Sequence, residues 1–315
     1  MKLKEKNFIS AVLYIHNEEE IIGEFLSGLI SLFESHFKKF EIICVNDDST
    51  DDSLSIIHNV TNIVDNGIIS IVNMSYYQGL EASMNAGVDL AIGDYVFEFD
   101  NIGFDFDTGL IMEVYHHSLS GYDIVAASGK KNRISSMIFY SIFNRNAHMQ
   151  YELHNDTFRI LSRRAINRIH SMSKTIPYRK ALYANCGLQM DTLFYQPLEI
   201  FGKEKKEKNV QKRLTTAFDS LILFTNITSN ISVIFAILMM IVTLLGVIYT
   251  VIIYFLGQPV AGYTTTMIVM TAGFFGVFTI FAVVIKYLSV IVSIVFNEQK
   301  YLVKSVEKVS KTQND

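Results

Sequence analysis

The chain has 315 residues and a formal net charge of -4, and it is 50% hydrophobic but only 18% charged, with a mean hydropathy of +0.28. That balance excludes a disordered chain and is too apolar for an ordinary soluble domain, and its sign gives no global attraction for nucleic acid. Two cysteines, Cys44 and Cys186, and three prolines exclude a disulfide scaffold, a cysteine-rich zinc module and a proline-rich linker.

Phe8 to Ile15 is a short apolar run that reads as a buried strand. It is too short for a signal peptide and is followed at once by His16-Asn-Glu-Glu-Glu20. Ile21, Ile22, Phe25, Leu29, Leu32 and Phe33 recur at helical spacing, so Glu19 to Phe37 reads as a helix. Strands are expected at Phe40 to Val45, Gly67 to Asn73, Tyr95 to Phe99 and Ile124 to Ala127. Helices are expected at Asp51 to Asn59, Gly79 to Ala91 and Leu110 to Ser118. The second of these carries the small residues Ala82, Ala86 and Gly87 on one face. This alternation predicts an α/β fold, a mostly parallel sheet flanked by helices.

Ligands of such sheets bind beyond the carboxyl ends of the strands. Three of those ends are acidic: His16-Asn-Glu-Glu-Glu20, Asn46-Asp-Asp-Ser-Thr-Asp-Asp52 and Asp100-Asn-Ile-Gly-Phe-Asp-Phe-Asp107. Each cluster alone also suits helix capping or a turn. Together they make a polar crevice able to take a hard cation, a ribose hydroxyl or the N–H edge of a base. His116-His117, His148 and His154 show no metal-ligand spacing.

No charged residue occurs between Asp219 and Lys286. The run holds two apolar stretches, Ile231 to Leu256 and Met267 to Ile285, separated by a turn-forming segment that starts at Gly257. Each reaches the ~18–20 residues needed to span a bilayer as a helix. Val210, Leu214, Ala217, Phe218, Leu221 and Ile222 recur at helical spacing just ahead, as in an amphipathic helix at the membrane interface. Lysines flank the apolar run on both sides and none lies in its connecting loop, which predicts both termini and the N-terminal domain in the cytoplasm. The expected organisation is a cytoplasmic domain over 1–202, a juxtamembrane amphipathic helix over 203–228, a transmembrane hairpin over 229–296 with helices at about 229–256 and 265–287, and a cytoplasmic tail over 297–315.

Leu13-Tyr-Ile-His-Asn-Glu-Glu-Glu20 resembles the family 2 glycosyltransferase opening Val-Pro-Val-Tyr-Asn-Glu-Glu. Val45-Asn-Asp-Asp-Ser-Thr-Asp-Asp52 is similar to that family's Val-Asp-Asp-Gly-Ser-Thr-Asp-Gly. Gly79 to Gly87 with Ile92-Gly-Asp94 resembles the helix before the Asp-x-Asp strand, and Phe158-Arg-Ile-Leu-Ser-Arg163 resembles a segment of the polyisoprenyl-phosphate branch. The apolar pair and Lys300-Tyr-Leu-Val303 resemble that branch's tail. The ordered match covers nearly the whole chain.

The resemblance implies a GT-A fold, a UDP- or GDP-sugar donor and a polyprenyl phosphate acceptor, on the cytoplasmic side of the cell's inner membrane. It is compatible with a homo-oligomer. It implies that Asn17, Glu18, Asp47, Asp48 and Gly79 hold the donor, and that Asp100 helps hold Mg²⁺ or Mn²⁺. Asp100, Arg159 and Asp156 are the catalytic candidates, and Lys130, Lys131 and Arg133 the candidates for the lipid phosphate. An ionised phosphate acceptor needs no strong general base.

The chain departs from the pattern at several places. Ile102 stands at the second aspartate of Asp-x-Asp and Phe104 at a following glutamine, with Asp105 and Asp107 further along. Asn46, Asp48, Tyr14 and Thr157 replace other family residues. Isoleucine cannot ligate Mg²⁺. Two functions follow: a membrane glycosyltransferase with an altered metal site, or a non-catalytic, membrane-anchored binding or scaffold protein on the same fold.

Overall fold

The computed structural model describes residues 4–61, 67–130, 150–172, 178–198 and 301–309, with residues 140, 141, 144 and 145 and isolated helical positions between 245 and 291. Its strands are β1 (Ile9–Ile15), β2 (Phe40–Asn46), β3 (Gly67–Met74), β4 (Tyr95–Phe99), β5 (Ile124–Gly129), β6 (Asp156–Ser162), β7 (Met190–Tyr195) and β8 (Val303–Val309). They form one sheet in the order β7-β5-β6-β4-β1-β2-β3-β8. The pairs β1–β2, β1–β4, β2–β3 and β5–β7 are parallel, while β6 runs antiparallel to β4 and β5, and β8 antiparallel to β3. The described helices are α1 (Ile22–His36), α2 (Ser53–Thr61), α3 (Leu80–Leu90), α4 (Gly109–Leu119), α5 (Arg163–Met172) and α6 (Arg179–Ala184). The expected α/β alternation is therefore present through β5, with helix bounds shifted by at most three residues.

Strand residues of alternating parity build two cores, because successive side chains point to opposite faces of a sheet. Leu13, Cys44, Ile71, Phe97, Phe99, Phe158 and Ile160 share one face with α1 and α4. Val12, Val45, Val72, Val96, Ala126 and Leu161 share the other with α3, α5 and Tyr183 of α6. The first core is rich in aromatic contacts: Phe99 stacks on Phe158 with centroids 5.3 Å apart, and Phe106 lies 4.7 Å from Phe158. The small face of α3 lets it sit close on the sheet. A Cβ on Gly87 would lie 2.3 Å from Val12 Cγ1, so no larger residue fits there without movement.

Residues 303–309, within the expected cytoplasmic tail over 297–315, form an edge strand, β8, registered from Ile69↔Val309 to Met74↔Val303. Their polar pattern follows from that place, since an edge strand has one open side and lysines there discourage further strand pairing.

The chain divides into two compact units, Met1–Asn144 with Met149–Val210 and Glu298–Asp315, and Arg145–His148 with Gln211–Asn297. All eight strands lie in the first. In the second, Met270, Val277, Val284, Leu288 and Ile291 are exposed apolar side chains at helical spacing. Among the described residues no helix is long and apolar enough to cross a membrane. The expected amphipathic helix at 203–228 lies outside the described residues, as does the hairpin at about 229–256 and 265–287 apart from isolated positions.

Candidate active site

At the carboxyl ends of β1 and β2 two loops are tied into one corner. Asp47 lies at its centre with no exposed surface. Its Oδ1 accepts the Gln78 N–H at 2.7 Å, and its Oδ2 accepts the Gly79 N–H at 2.7 Å and the Tyr14 hydroxyl at 3.0 Å. It thereby fixes the start of α3, where Gly79 turns the chain at φ 91°. Burial, and then the neighbouring Asp47 charge, push the Tyr14 hydroxyl far above its ordinary pKa, so it remains a donor.

The loop after β1 reaches across to the loop after β2. The Asn17 N–H donates to Ser49 Oγ (3.1 Å), Asn17 Oδ1 accepts the Thr50 N–H (2.8 Å), and the Glu18 N–H donates to Ser53 Oγ (2.8 Å). Glu19 and Asp51 close it reciprocally: the Glu19 N–H donates to Asp51 and the Asp52 N–H to Glu19, both at 3.0 Å. Asn17 (φ 56°) and Asp48 (φ 55°) are left-handed without being glycine. Such conformations cost free energy and persist where the surroundings over-determine them. Asp48 is exposed and Glu18 half-buried at the same corner.

The second feature is a buried charge cluster around the end of β4. Glu98 and Arg159 face each other across the antiparallel β4–β6 pair, and Arg159 Nη1 donates to Glu98 Oε2 at 2.6 Å. Because β6 runs antiparallel, its first residue, Asp156, lies near Asp100 at the end of β4, where Arg159 contacts both. Helix α6 adds Arg179 and Lys180, and Tyr183 one turn on. Asp100 Oδ2 accepts from Arg159 Nη2 at 2.5 Å and Asp100 Oδ1 from Arg179 Nη2 at 2.7 Å. Arg179 Nε donates to Glu81 Oε2 at 2.9 Å, and the Tyr183 hydroxyl donates to Glu98 Oε1 at 2.7 Å. Lys180 Nζ lies 3.9 Å from Asp156 Oδ2. Both arginine side chains are at most 1% exposed.

Three cations thus meet four carboxylates in a largely buried cluster. Desolvation works against the Asp100 charge, but Arg159, Arg179 and Lys180 hold its carboxyl well below the usual carboxylate range. Desolvation likewise opposes both guanidiniums, and Asp100 and Glu98 hold them charged. Among the described residues, Asp156 Oδ1, Arg159 Nε and Arg179 Nη1 are buried without a hydrogen-bond partner. Arg179 Nη1 has only an ionic contact to Glu98 Oε2, at 3.0 Å.

The Mg²⁺ or Mn²⁺ that the resemblance implies at Asp100 does not fit these residues. Both Asp100 oxygens are committed to guanidiniums. Ile102 is 2% exposed and packs in the core. Asp105 Oδ1 accepts the Tyr195 hydroxyl at 3.0 Å, and Asp107 Oδ1 accepts the Gly109 N–H at 2.7 Å ahead of α4. Among the described residues no group of three or more His, Cys, Asp or Glu side chains could hold a metal ion.

The site candidates therefore gather in two places. Asn17, Glu18, Asp47, Asp48 and Gly79 form the corner beyond β1 and β2, and Asp100, Arg159 and Asp156 the charge cluster. Lys130 is exposed just beyond β5, its N–H donating to Tyr195 O at 3.0 Å, while Lys131 and Arg133 lie outside the described residues. Sequence reasoning missed Arg179, Lys180, Glu81 and Glu98. Glu98 carried a signal: a lone carboxylate inside the apolar run Tyr95–Phe99 requires a buried cation. Arg179 had none, standing in a short helix without a periodic pattern.

The family description "Glycosyl transferase family 2" matches residues 10–171. A Synechocystis sp. protein named an uncharacterized glycosyltransferase is 26% identical over 271 residues, covering 82% of this chain and 83% of its own. The prophage bactoprenol glucosyl transferase homolog of Escherichia coli is 27% identical over 209 residues, 63% of this chain and 66% of its own. Over 95 residues, 30% of this chain and 28% of its own, the undecaprenyl-phosphate 4-deoxy-4-formamido-L-arabinose transferase of Proteus mirabilis is 34% identical. Among solved structures, the mannosyltransferase PcManGT from Pyrobaculum calidifontis, in complex with GDP-Man and Mn²⁺, superposes with a TM-score of 0.45 at 13% identity over 64% of this chain and 59% of its own.

Proposed function

This chain belongs to glycosyltransferase family 2, and we propose that it moves a sugar from a UDP- or GDP-sugar to the phosphate of a membrane polyprenol. The non-catalytic alternative is set aside, because the family is one of transferases. The observation that carries the donor half is the tied corner beyond β1 and β2. It carries left-handed turns at Asn17 and Asp48, and hydrogen bonds from Asn17 to Ser49 and Thr50 tie its two loops together. That is where parallel α/β sheets take nucleotides. In this reading Asp48 and Glu18 offer carboxylates to ribose hydroxyls or a base edge, while Asp47 and Gly79 set the backbone that presents them.

The acceptor half rests on the relatives named for bactoprenol and undecaprenyl phosphate and on the apolar run between Asp219 and Lys286. A phosphate oxygen attacks the anomeric carbon as the bond to the nucleotide diphosphate breaks. The acceptor is already ionised, so no strong base is needed. Arg159 and Asp156 border the sugar's position at the end of β4, and Lys130, with Lys131 and Arg133 beyond it, meets the lipid phosphate. The apolar run anchors the chain, and its lysine-rich flanks keep the catalytic domain cytoplasmic.

Detergent-purified protein given undecaprenyl phosphate and a panel of UDP- and GDP-sugars, with Mg²⁺, Mn²⁺ or EDTA, tests this. A glycolipid with stoichiometric release of UDP or GDP is expected from one donor. No glycolipid from any donor, with folded protein beside an active relative as control, would overturn the polyprenyl phosphate acceptor.

A further inference from the structure

We infer that Asp100 is a guanidinium-held anchor for the end of β4 and not a metal ligand, so that this chain engages its donor without a divalent cation at that position. The donor clause rests on the function proposed above; the anchor clause stands on geometry alone.

A hard cation takes lone pairs from several oxygens. Each Asp100 oxygen already accepts from a different guanidinium, at 2.5 Å from Arg159 and 2.7 Å from Arg179. Glu98 and Glu81 are likewise engaged by the cluster's donors. Glu98 serves Arg159 through one oxygen and Tyr183 through the other, and Glu81 accepts both the Nε and the backbone N–H of Arg179 on its one oxygen Oε2. Among the described residues, Asp156 Oδ1 has no hydrogen-bond partner, on a side chain 3% exposed, and its Oδ2 has only ionic contacts, to Arg159 at 3.7 Å and Lys180 at 3.9 Å. A dication binding Asp100 would displace at least one buried guanidinium bond and would sit beside two fixed positive charges. Losing one partner of a buried charge pair is strongly destabilising, because the other is left uncompensated. The missing second aspartate then has a physical reading. Ile102, packed in the core, is no gap in a metal site, since the cluster builds none.

The two roles predict opposite stability changes. Carboxylates gathered for a metal repel one another, so neutralising one leaves the melting temperature unchanged or raised. Neutralising an anchor strands two guanidiniums. In full-length protein in detergent, Asp100→Asn is expected to lower the melting temperature by about 5 °C or more. Asp100→Glu, which keeps the charge, recovers part of that loss. The double variant with Arg179→Met is expected to fall by less than the sum of the single changes. An Asp100→Asn protein that melts at or above the wild-type temperature overturns the anchor. Titration calorimetry with UDP and with GDP, in Mn²⁺ and in EDTA, tests the donor clause. Dissociation constants within about threefold in the two buffers support it, and tightening by about tenfold or more with Mn²⁺ overturns it. If neither nucleotide binds in either buffer while Asp100→Asn still lowers the melting temperature, the donor reading fails and the anchor stands.

Discussion

Asp47 illustrates how one side chain can serve a site from beneath it. It was legible as a motif aspartate, and its place at a strand end pointed to a ligand. Its three hydrogen bonds instead go to Tyr14 and to the amides that open α3. Asp47→Ala strands those three donors, and each buried unsatisfied group costs roughly 1–3 kcal/mol. Circular dichroism melts should show a loss of about 3 kcal/mol or more, with β4 and β6 amides exchanging as before if the damage stays at the corner. Wild-type stability would remove Asp47 from the clamp. Asp100 has its own pH signature. Its folded pKa is depressed, so its contribution is present above the ordinary carboxylate pKa and lost only as the pH falls through the lower folded value. The Asp100→Asn penalty should therefore be as large at pH 5 as at pH 7, read from unfolding at each pH. Arg179 was illegible for the opposite reason to Asp47. Its partners Glu81, Glu98 and Asp100 come from other elements, and no local pattern encodes a contact 79 residues distant.

Element by element, legibility followed the apolar composition of each strand. The strands β1 and β2 are buried almost throughout and read as mostly apolar runs, with Glu41 the one charged residue between them. β6 carries Asp156, Thr157 and Arg159 among its apolar residues and gave no such run. β8, Val-Lys-Ser-Val-Glu-Lys-Val, is mostly exposed and reads as a charged tail, yet it is stitched to the corner beyond β1 and β2. Asn46 Nδ2 donates to Asn73 Oδ1, and Asn73 Nδ2 donates to Glu307 Oε1, both at 2.9 Å. Gln78 exchanges two hydrogen bonds with the Leu302 backbone, at 2.6 and 2.8 Å, while its own N–H holds Asp47. Removing residues 301–315 should uncover β3 as the sheet edge, with amides of residues 69–74 exchanging about tenfold faster or more by mass spectrometry. Unchanged protection there would mean that β8 adds nothing to the edge it covers.

At the scale of the whole molecule, β8 constrains topology. Strands β1 to β7 and strand β8 share one sheet, so the segment between β7 and β8 starts and ends on the same side of any membrane. If it enters a bilayer, it must cross an even number of times. Two apolar stretches, each long enough for one crossing, satisfy that condition, and a single or triple crossing would break the sheet. The sequence supplied the number of stretches and, through the flanking lysines, an expected common side for both ends, and the strand pairing supplies an independent reason that the number is even. The lysines at 203–208 and at 300–311 must then lie on the face that carries the catalytic domain. Trypsin should cut both regions in inside-out membrane vesicles and neither in right-side-out ones, with the chain resisting alkaline carbonate extraction. Cleavage of one region from each side would contradict the shared sheet, and release by carbonate would contradict the anchor while leaving the sheet intact.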